Sequence, residues 1–219
     1  MTDRELQRHV EDALAWEPSV DAANIGVSVD NGVVAMHGEV GTYTEKSTAE
    51  RVALQVYGVR AVANDLNVRI SSLYKRTDSD IARAAVAALQ WNTVVPPNRM
   101  TVAISDGWVT LKGTLDWQYQ KEAAARTVRD LTGVRGVTNS ISVQPPEPAV
   151  KTSDVQAKIE AAFTRSAEID ARRVSVAAHD GQVILTGQVR SWAERQEAER
   201  AAWAAPGVTL VDDRITITP

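Results

Sequence analysis

The chain has 219 residues, 44% of them apolar and 24% charged, with a net charge of −4 and no cysteine. The lack of cysteine excludes a disulfide framework, thiolate catalysis and a thiolate metal site, and the negative balance argues against a dedicated nucleic-acid binder, whose phosphate contacts need a basic surplus. The apolar share is that of an ordinary globular protein, and no run approaches the ~20 apolar residues of a membrane-spanning helix.

The first predicted element is a helix on which Leu6, Val10 and Leu14 recur at four-residue spacing, opened by Thr2 with Glu5 as a capping box. Two strands follow. Ile25, Val27 and Val29 alternate with small or polar residues, Asn31-Gly32 reverses the chain, and Val34 and Met36 point to the same side. Asn-Gly between alternating runs predicts a tight hairpin, because these residues adopt positive φ cheaply. A second helix, with Ala49, Val52, Ala53 and Val56 inward, leads to a strand on Leu66, Val68 and Ile70. That helix is a crossover, so the second and third strands are expected to run parallel.

Residues 71–76 form a short polar linker, after which the same order returns. Ile81, Ala85 and Leu89 mark a helix, with Thr77 and Asp80 a weaker cap. Met100, Val102 and Ile104, then Asp106-Gly107, then Val109 and Leu111 mark a hairpin. Ala124, Val128 and Leu131 mark the crossover helix, and Ile141 and Val143 the closing strand. A second linker holds Pro145, Pro146 and Pro148, which favour an extended, stiff spacer. The third series reads Val155, Ile159 and Phe163 with a Ser153–Gln156 cap; Val174, Val176 and Ala178; Asp180-Gly181; Val183 and Leu185; Ala198, Ala202 and Ala205, with Trp203 supplying bulk; then Ile215 and Ile217.

The chain therefore states one pattern three times. Gly32, Gly107 and Gly181 superpose at spacings of 75 and 74, with Gly38, Gly113 and Gly187 six residues on and Val20, Val95 and Ile169 twelve before. These six glycines are read as structural: turns at the first three, obstructed strand ends at the others. A ligand approaching the bare backbone of the second set is the alternative. The expected fold class is α+β, with three tandem units at 1–70, 77–144 and 151–219. Each is a small mixed three-stranded sheet with two helices on one face. The other face is semi-polar, with Ser28, Ala35, Thr101, Thr110, Ser175 and Thr186. A feature shared by all copies is read as fold, and a feature of one copy as a candidate for function.

Val109, Leu111 and Gly113 close the second hairpin, and Gly133, Val134, Val137 and Asn139 lead through its last strand. Copy one repeats this with Val34, Met36 and Gly38, then Gly58, Val59, Val62 and Asn64. Copy three does so with Val183, Leu185 and Gly187, then Gly207, Val208 and Val211, but ends on Asp213 in place of Asn. Three such motifs in register resemble the BON domain, named for bacterial osmotically inducible and nodulation proteins. The resemblance implies no known catalysis, and attachment to phospholipid membranes, often under osmotic or envelope stress. Some relatives bind potassium.

No enzymatic motif appears. His9, His37 and His179 fall on a helix, a strand and a turn, without ligand spacing. Asp212 and Asp213 are adjacent on a strand and point to opposite faces, so they do not form an acid/base pair. Trp16 and Trp91 occupy equivalent places after the first helix of their copies and are read as core edge; Trp108 lies on the outer sheet face, aligned with Val33 and Gln182. Charge is uneven: residues 1–74 carry 6 basic and 11 acidic side chains, residues 75–148 carry 9 and 7, and residues 149–219 carry 9 and 10.

The middle copy is thus the candidate for an anionic surface. Its aromatics Trp117 and Tyr119 lead into a helix carrying Lys121, Arg126 and Arg129, a combination suited to a lipid interface. A solvated helix face plus a unit–unit contact is the competing reading, and Glu122 and Asp130 dilute the charge. The expected protein is non-enzymatic, stress-associated and cytoplasmic, with a peripheral place at the inner membrane allowed, and with no metal and no cofactor. Its expected partner is a phospholipid surface or a membrane-attached protein, with homo-oligomers allowed. A small-ligand or potassium sensor using backbone carbonyls, and a protein–protein scaffold, are the alternatives.

Overall fold

The computed structural model of the chain describes residues 1–96, 98–145, 152–166 and 169–218, with the side chains of 152 and 153 outside that description. The Ser153–Gln156 cap and the stiff spacer at Pro146 and Pro148 lie outside the described residues. Six helices and three sheets follow in chain order: α1 (Asp3–Trp16), β1 (Ile25–Asp30), β2 (Val33–Val40), α2 (Tyr43–Gln55) and β3 (Ala61–Val68) form repeat one. Repeat two has α3 (Asp78–Trp91), β4 (Met100–Ser105), β5 (Trp108–Leu115), α4 (Gln118–Arg129) and β6 (Gly136–Val143). Repeat three has α5 (Thr152–Arg165), β7 (Val174–His179), β8 (Gln182–Val189), α6 (Trp192–Trp203) and β9 (Leu210–Ile217). Contacts divide the chain into two compact units. One comprises residues 1–113 and 120–141, the other residues 114–119 and 142–219.

Each sheet has its hairpin's return strand in the middle. β1 pairs antiparallel with β2 through Val27 opposite Met36, and β2 runs parallel to β3 with Val34 opposite Val62. β7, β8 and β9 repeat this arrangement. The hairpin turns have φ of 50° and 79° at Asn31-Gly32, 51° and 77° at Asp106-Gly107, and 46° and 79° at Asp180-Gly181. Positive φ at both turn residues matches the right-handed twist of the flanking strands.

Leu6, Val10 and Leu14 of α1 close over Val34 and Met36 of β2, with Ala49, Val52 and Ala53 of α2 beside them. Ile81, Ala85, Leu89, Val109 and Leu111 are the buried counterparts in repeat two. In repeat three the alanines of α6 leave room that Trp192 as well as Trp203 fills at the core's edge. Val56 and Leu131 lie one and two residues beyond their helices and are only half-buried, while Ala205, also past its helix, is buried. Ile70 lies past the end of β3.

The helix starts are as expected. Thr2 and Glu5 form a complete capping box, as do Thr77 and Asp80. Hydrogen bonds from Thr2, its backbone N–H foremost, hold the Glu5 carboxyl below the usual range, and those from Thr77, hydroxyl foremost, do the same for Asp80. A depressed carboxyl pKa makes these caps fully effective above the unfolded-state value and lost as pH falls through the folded-state one.

Two anchors were not anticipated from the sequence. Asp3 accepts the backbone N–H groups of Asn31 and Gly32 at 2.9 and 3.1 Å, and Asp78 accepts those of Asp106 and Gly107 at 2.9 Å each. The first turn of the helix thus holds the hairpin turn. Glu45 likewise accepts from the N–H groups of Asp21 and Gly41 (2.7 and 2.8 Å), and Glu194 from those of Asp170 and Arg190 (3.0 and 2.9 Å). Repeat two has Pro96 where repeat one has Asp21, and so lacks one N–H donor; the buried side chain at the Glu45 position there is the uncharged Gln120. A buried carboxylate with a missing donor would cost more than a neutral amide.

Candidate functional site

The predicted α4 set does not converge on one face. Tyr119 and Arg126, seven residues apart on α4, share a stripe, and Lys121 leaves it. α4 buries Gln120, Ala123, Ala124 and Val128. Tyr119 and Lys121, two residues apart, leave the helix axis about 160° from one another. Trp117 is half-buried, at the position where Thr42 and Ser191 cap the crossover helices of the other repeats. Arg126 is exposed.

Arg129 is directed inward to repeat one. Its Nη1 donates to Ser47 Oγ at 2.7 Å, and next to it Thr44 donates its hydroxyl to Asp130 Oδ1 at 2.9 Å. The end of α4 is therefore docked on the first turns of α2, which is the unit–unit contact that the sequence left as an alternative. Trp108 is also engaged: its ring lies over Gly136, and its Nε1 donates to Thr138 Oγ1 at 2.8 Å.

Trp16 and Trp91 correct the sequence reading. They are not core edge; they are 88% and 86% exposed, the last residues of α1 and α3. The core faces of these helices run through Leu14 and Leu89. A residue two further on lies roughly 200° around the axis, on the solvent side.

Their surroundings differ in charge. One turn before Trp16 on α1 stands the exposed Asp12, and after it Glu17, in a 3.4 Å ion pair with Arg51. Trp91 ends a stretch of opposite character, because no charged residue occurs from Ala84 to Asn98. Ala84, Val86, Ala87 and Gln90 of α3 are exposed with it, Val86 by 47%, and Val94 beyond the helix by 43%. An apolar helix face in water is an unmet burial requirement. The platform is fixed, since Asn92, next to Trp91, donates from Nδ2 to Thr127 Oγ1 of α4 at 2.7 Å.

The other polar features have intramolecular roles. Gly38, Gly113 and Gly187 face a backbone carbonyl of the chain itself, so the bare backbone there is not open to a ligand. The Gly32, Gly107 and Gly181 carbonyls accept the N–H groups of Arg60, Arg135 and Thr209 at 2.8, 2.9 and 2.8 Å. Asp212 pairs with Arg214, and Asp213 with Arg195, each at 2.6 Å. All three histidines are exposed, and no cluster of metal-ligating residues occurs among the described residues.

The BON domain family model matches residues 2–70, 77–145 and 151–219. The chain is 30% identical over 148 residues to osmotically inducible protein Y of Escherichia coli (strain K12), a span of 66% of this chain and 74% of that protein. Two solved structures of CdsD, a structural protein of the type III secretion system of Chlamydia trachomatis, align at 14% identity and a TM-score of 0.28. They cover 98% and 100% of this chain and 93% and 100% of their own. Among the described residues no helix is long and apolar enough to cross a membrane.

Proposed function

The chain belongs to the BON domain family, and from that premise we propose that it is a non-enzymatic, stress-associated protein that attaches to phospholipid surfaces, or to proteins held on them, through the first helix of its second repeat. The observation that carries this reading is Trp91, 86% exposed at the end of an uncharged helix face. An indole has a large apolar body and one polar N–H, which suits the boundary between headgroups and acyl chains. Arg126 lies exposed on α4, a placement that favours anionic lipid, while Arg83, at the start of the uncharged stretch, is paired with Asp80 at 2.6 Å. Trp16, with Asp12 one turn before it and Glu17 after it, is the poorer anchor for such a surface.

Of the α4 set, Arg126 is retained as a secondary contact and Arg129 is assigned to the contact with Ser47. The working modules are residues 1–70, 77–144 and 151–219. The stress association follows from the name of the Escherichia coli relative. The expected compartment is cytoplasmic, peripheral to the inner membrane; release by osmotic shock with the periplasmic contents would overturn that placement.

Flotation with phosphatidylglycerol and phosphatidylcholine vesicles at low and high salt tests the reading. The wild-type chain is expected to float with the anionic vesicles and to be released by salt. Withdrawing one indole from an apolar environment costs about 1.5–3 kcal/mol, so Trp91→Ala should weaken partitioning roughly tenfold or more. Trp16→Ala should leave it near wild type. A Trp91→Ala protein that floats like wild type sinks the proposed face, and no flotation of the wild type turns the reading to a membrane-attached protein partner.

A further inference from the structure

Repeat two carries a second feature that the lipid reading does not use. A cleft of about 410 Å3 opens where the linker from repeat one enters α3, bounded by the turn between β4 and β5 and by the chain leading into β6. Lys75 and Arg76 reach it from the linker, and Arg135 from the lead into β6. We infer that this cleft is a binding site for a phosphate monoester or diester.

Three cations from two separate chain segments meet there. Arg76 Nη1 donates to the carbonyls of Leu73 and Lys75 at 3.4 and 2.8 Å, which orients the guanidinium and leaves Nε and Nη2 for a ligand. The stem of Arg135 lies against Gly107, so close that a Cβ there would come within 3.1 Å of its Cγ, and its N–H is held by the Gly107 carbonyl at 2.9 Å. Two carboxylates also border the cleft. Asp78 already accepts two backbone N–H groups, and Asp106 is one of the turn residues that supplies them. The five charged side chains sum to a single positive charge, with the Asp78 carboxylate engaged at the turn and the Asp106 carboxylate on the rim with the three cations. A planar guanidinium pair and an ammonium match the oxygens of a phosphate group.

The arrangement belongs to repeat two alone. Repeat one keeps Arg60 at the Arg135 position, but Met1 stands where Arg76 precedes the helix; repeat three has Thr209 in place of the arginine. The hairpin turn is shared fold, whereas the cation cluster is not.

The test is a titration of 15N-labelled full-length protein, following amide shifts at Thr77, Gly107 and Arg135. The probes are glycerol 3-phosphate and dihexanoylphosphatidylglycerol below its micellar concentration, against sodium chloride of equal ionic strength. Saturable shifts confined to these amides are expected with the phosphate probes. They should need at least tenfold more probe in Lys75→Gln/Arg76→Gln and in Arg135→Gln, whose exposed side chains can change without disturbing the core. Equal affinity for the two probes assigns a free phosphoester, and tighter binding of the lipid assigns a headgroup. Shifts that fail to saturate, that sodium chloride reproduces, or that the substitutions leave unchanged overturn the inference. Trp91→Ala should keep the shifts while losing vesicle binding, so failure of the lipid face and failure of the cleft are read separately.

Discussion

Gly38→Ala is expected to destabilise repeat one by about 2–6 kcal/mol. Gly38 has φ +126°, and a methyl group there would sit 2.0 Å from the Asn24 carbonyl oxygen. Holding a non-glycine residue in that region costs roughly 1–3 kcal/mol. Relieving the overlap means moving the backbone at the start of β1, which costs roughly another 1–3 kcal/mol in a packed structure. Whole domains are stable by only about 5–15 kcal/mol, and units this small lie at the lower end. The control is Gly41→Ala in the same repeat. Its Cβ would meet only the Glu45 carboxylate, at 3.5 Å, and its effect should stay within about 0.5 kcal/mol. Native-state hydrogen exchange at Val27, Val34 and Met36 reads repeat one without assuming that the three repeats unfold together. Equal protection in the two variants would show that the close approach at Gly38 is not what the glycine is for.

That glycine, the paired turn residues and the inward helix faces were legible because each follows from local physics repeated three times. Leu6, Val10 and Leu14 fix a buried stripe whatever surrounds them, and Asn31-Gly32 fixes a hairpin. The parallel pairing of β2 with β3 followed from the crossover helix between them. The site was less legible, for two reasons. Repetition was taken to mean fold, yet Trp16 and Trp91 recur at equivalent positions and both stand in solvent. The signal that corrects this was in the sequence: each lies two residues past a core leucine, on the far side of its helix, and the run from Ala84 to Asn98 has no charge. The second reason is that closeness in sequence on α4 was read as closeness in space. Tyr119 and Lys121 are near neighbours in the chain and far apart around the axis. Where Arg129 goes depends on Ser47, 82 residues away, and no local pattern specifies that. Asp3 and Asp78 were hidden as ordinary first-turn acids, residues that also favour a helix start for their charge alone.

Arg195→Met is expected to cost repeat three about 2–4 kcal/mol, and adding Asp213→Asn is expected to recover most of it. In repeats one and two the motif asparagine ties the last strand to the crossover helix. Asn64 Nδ2 donates to the Lys46 carbonyl at 3.1 Å, and Asn139 Nδ2 to the Lys121 carbonyl at 2.7 Å. Their Oδ1 atoms accept the N–H groups of Leu66 and Ile141 at 3.4 and 3.3 Å. Asp213 keeps the second bond, to the Ile215 N–H at 2.9 Å, but has no amide to donate. Arg195, at the Lys46 and Lys121 position, supplies the missing donor: Nε reaches Asp213 Oδ2 at 2.6 Å while the guanidinium lies over the Trp192 ring, 4.8 Å from its centre. The two side chains are 24% and 12% exposed. Breaking a fully buried pair costs about 3–5 kcal/mol because a charge is left without a partner, and the residual exposure here lowers that range. An asparagine at 213 carries no charge to strand and can again donate to the helix carbonyl. Equilibrium denaturation of the wild type, both single variants and the double variant gives the coupling energy, expected at about 1–3 kcal/mol. A double variant as unstable as Arg195→Met alone would mean that the arginine acts through Trp192 rather than through Asp213. The predicted recovery would mean that repeat three replaces the amide bridge of repeats one and two with an ionic one, both of its ends being different.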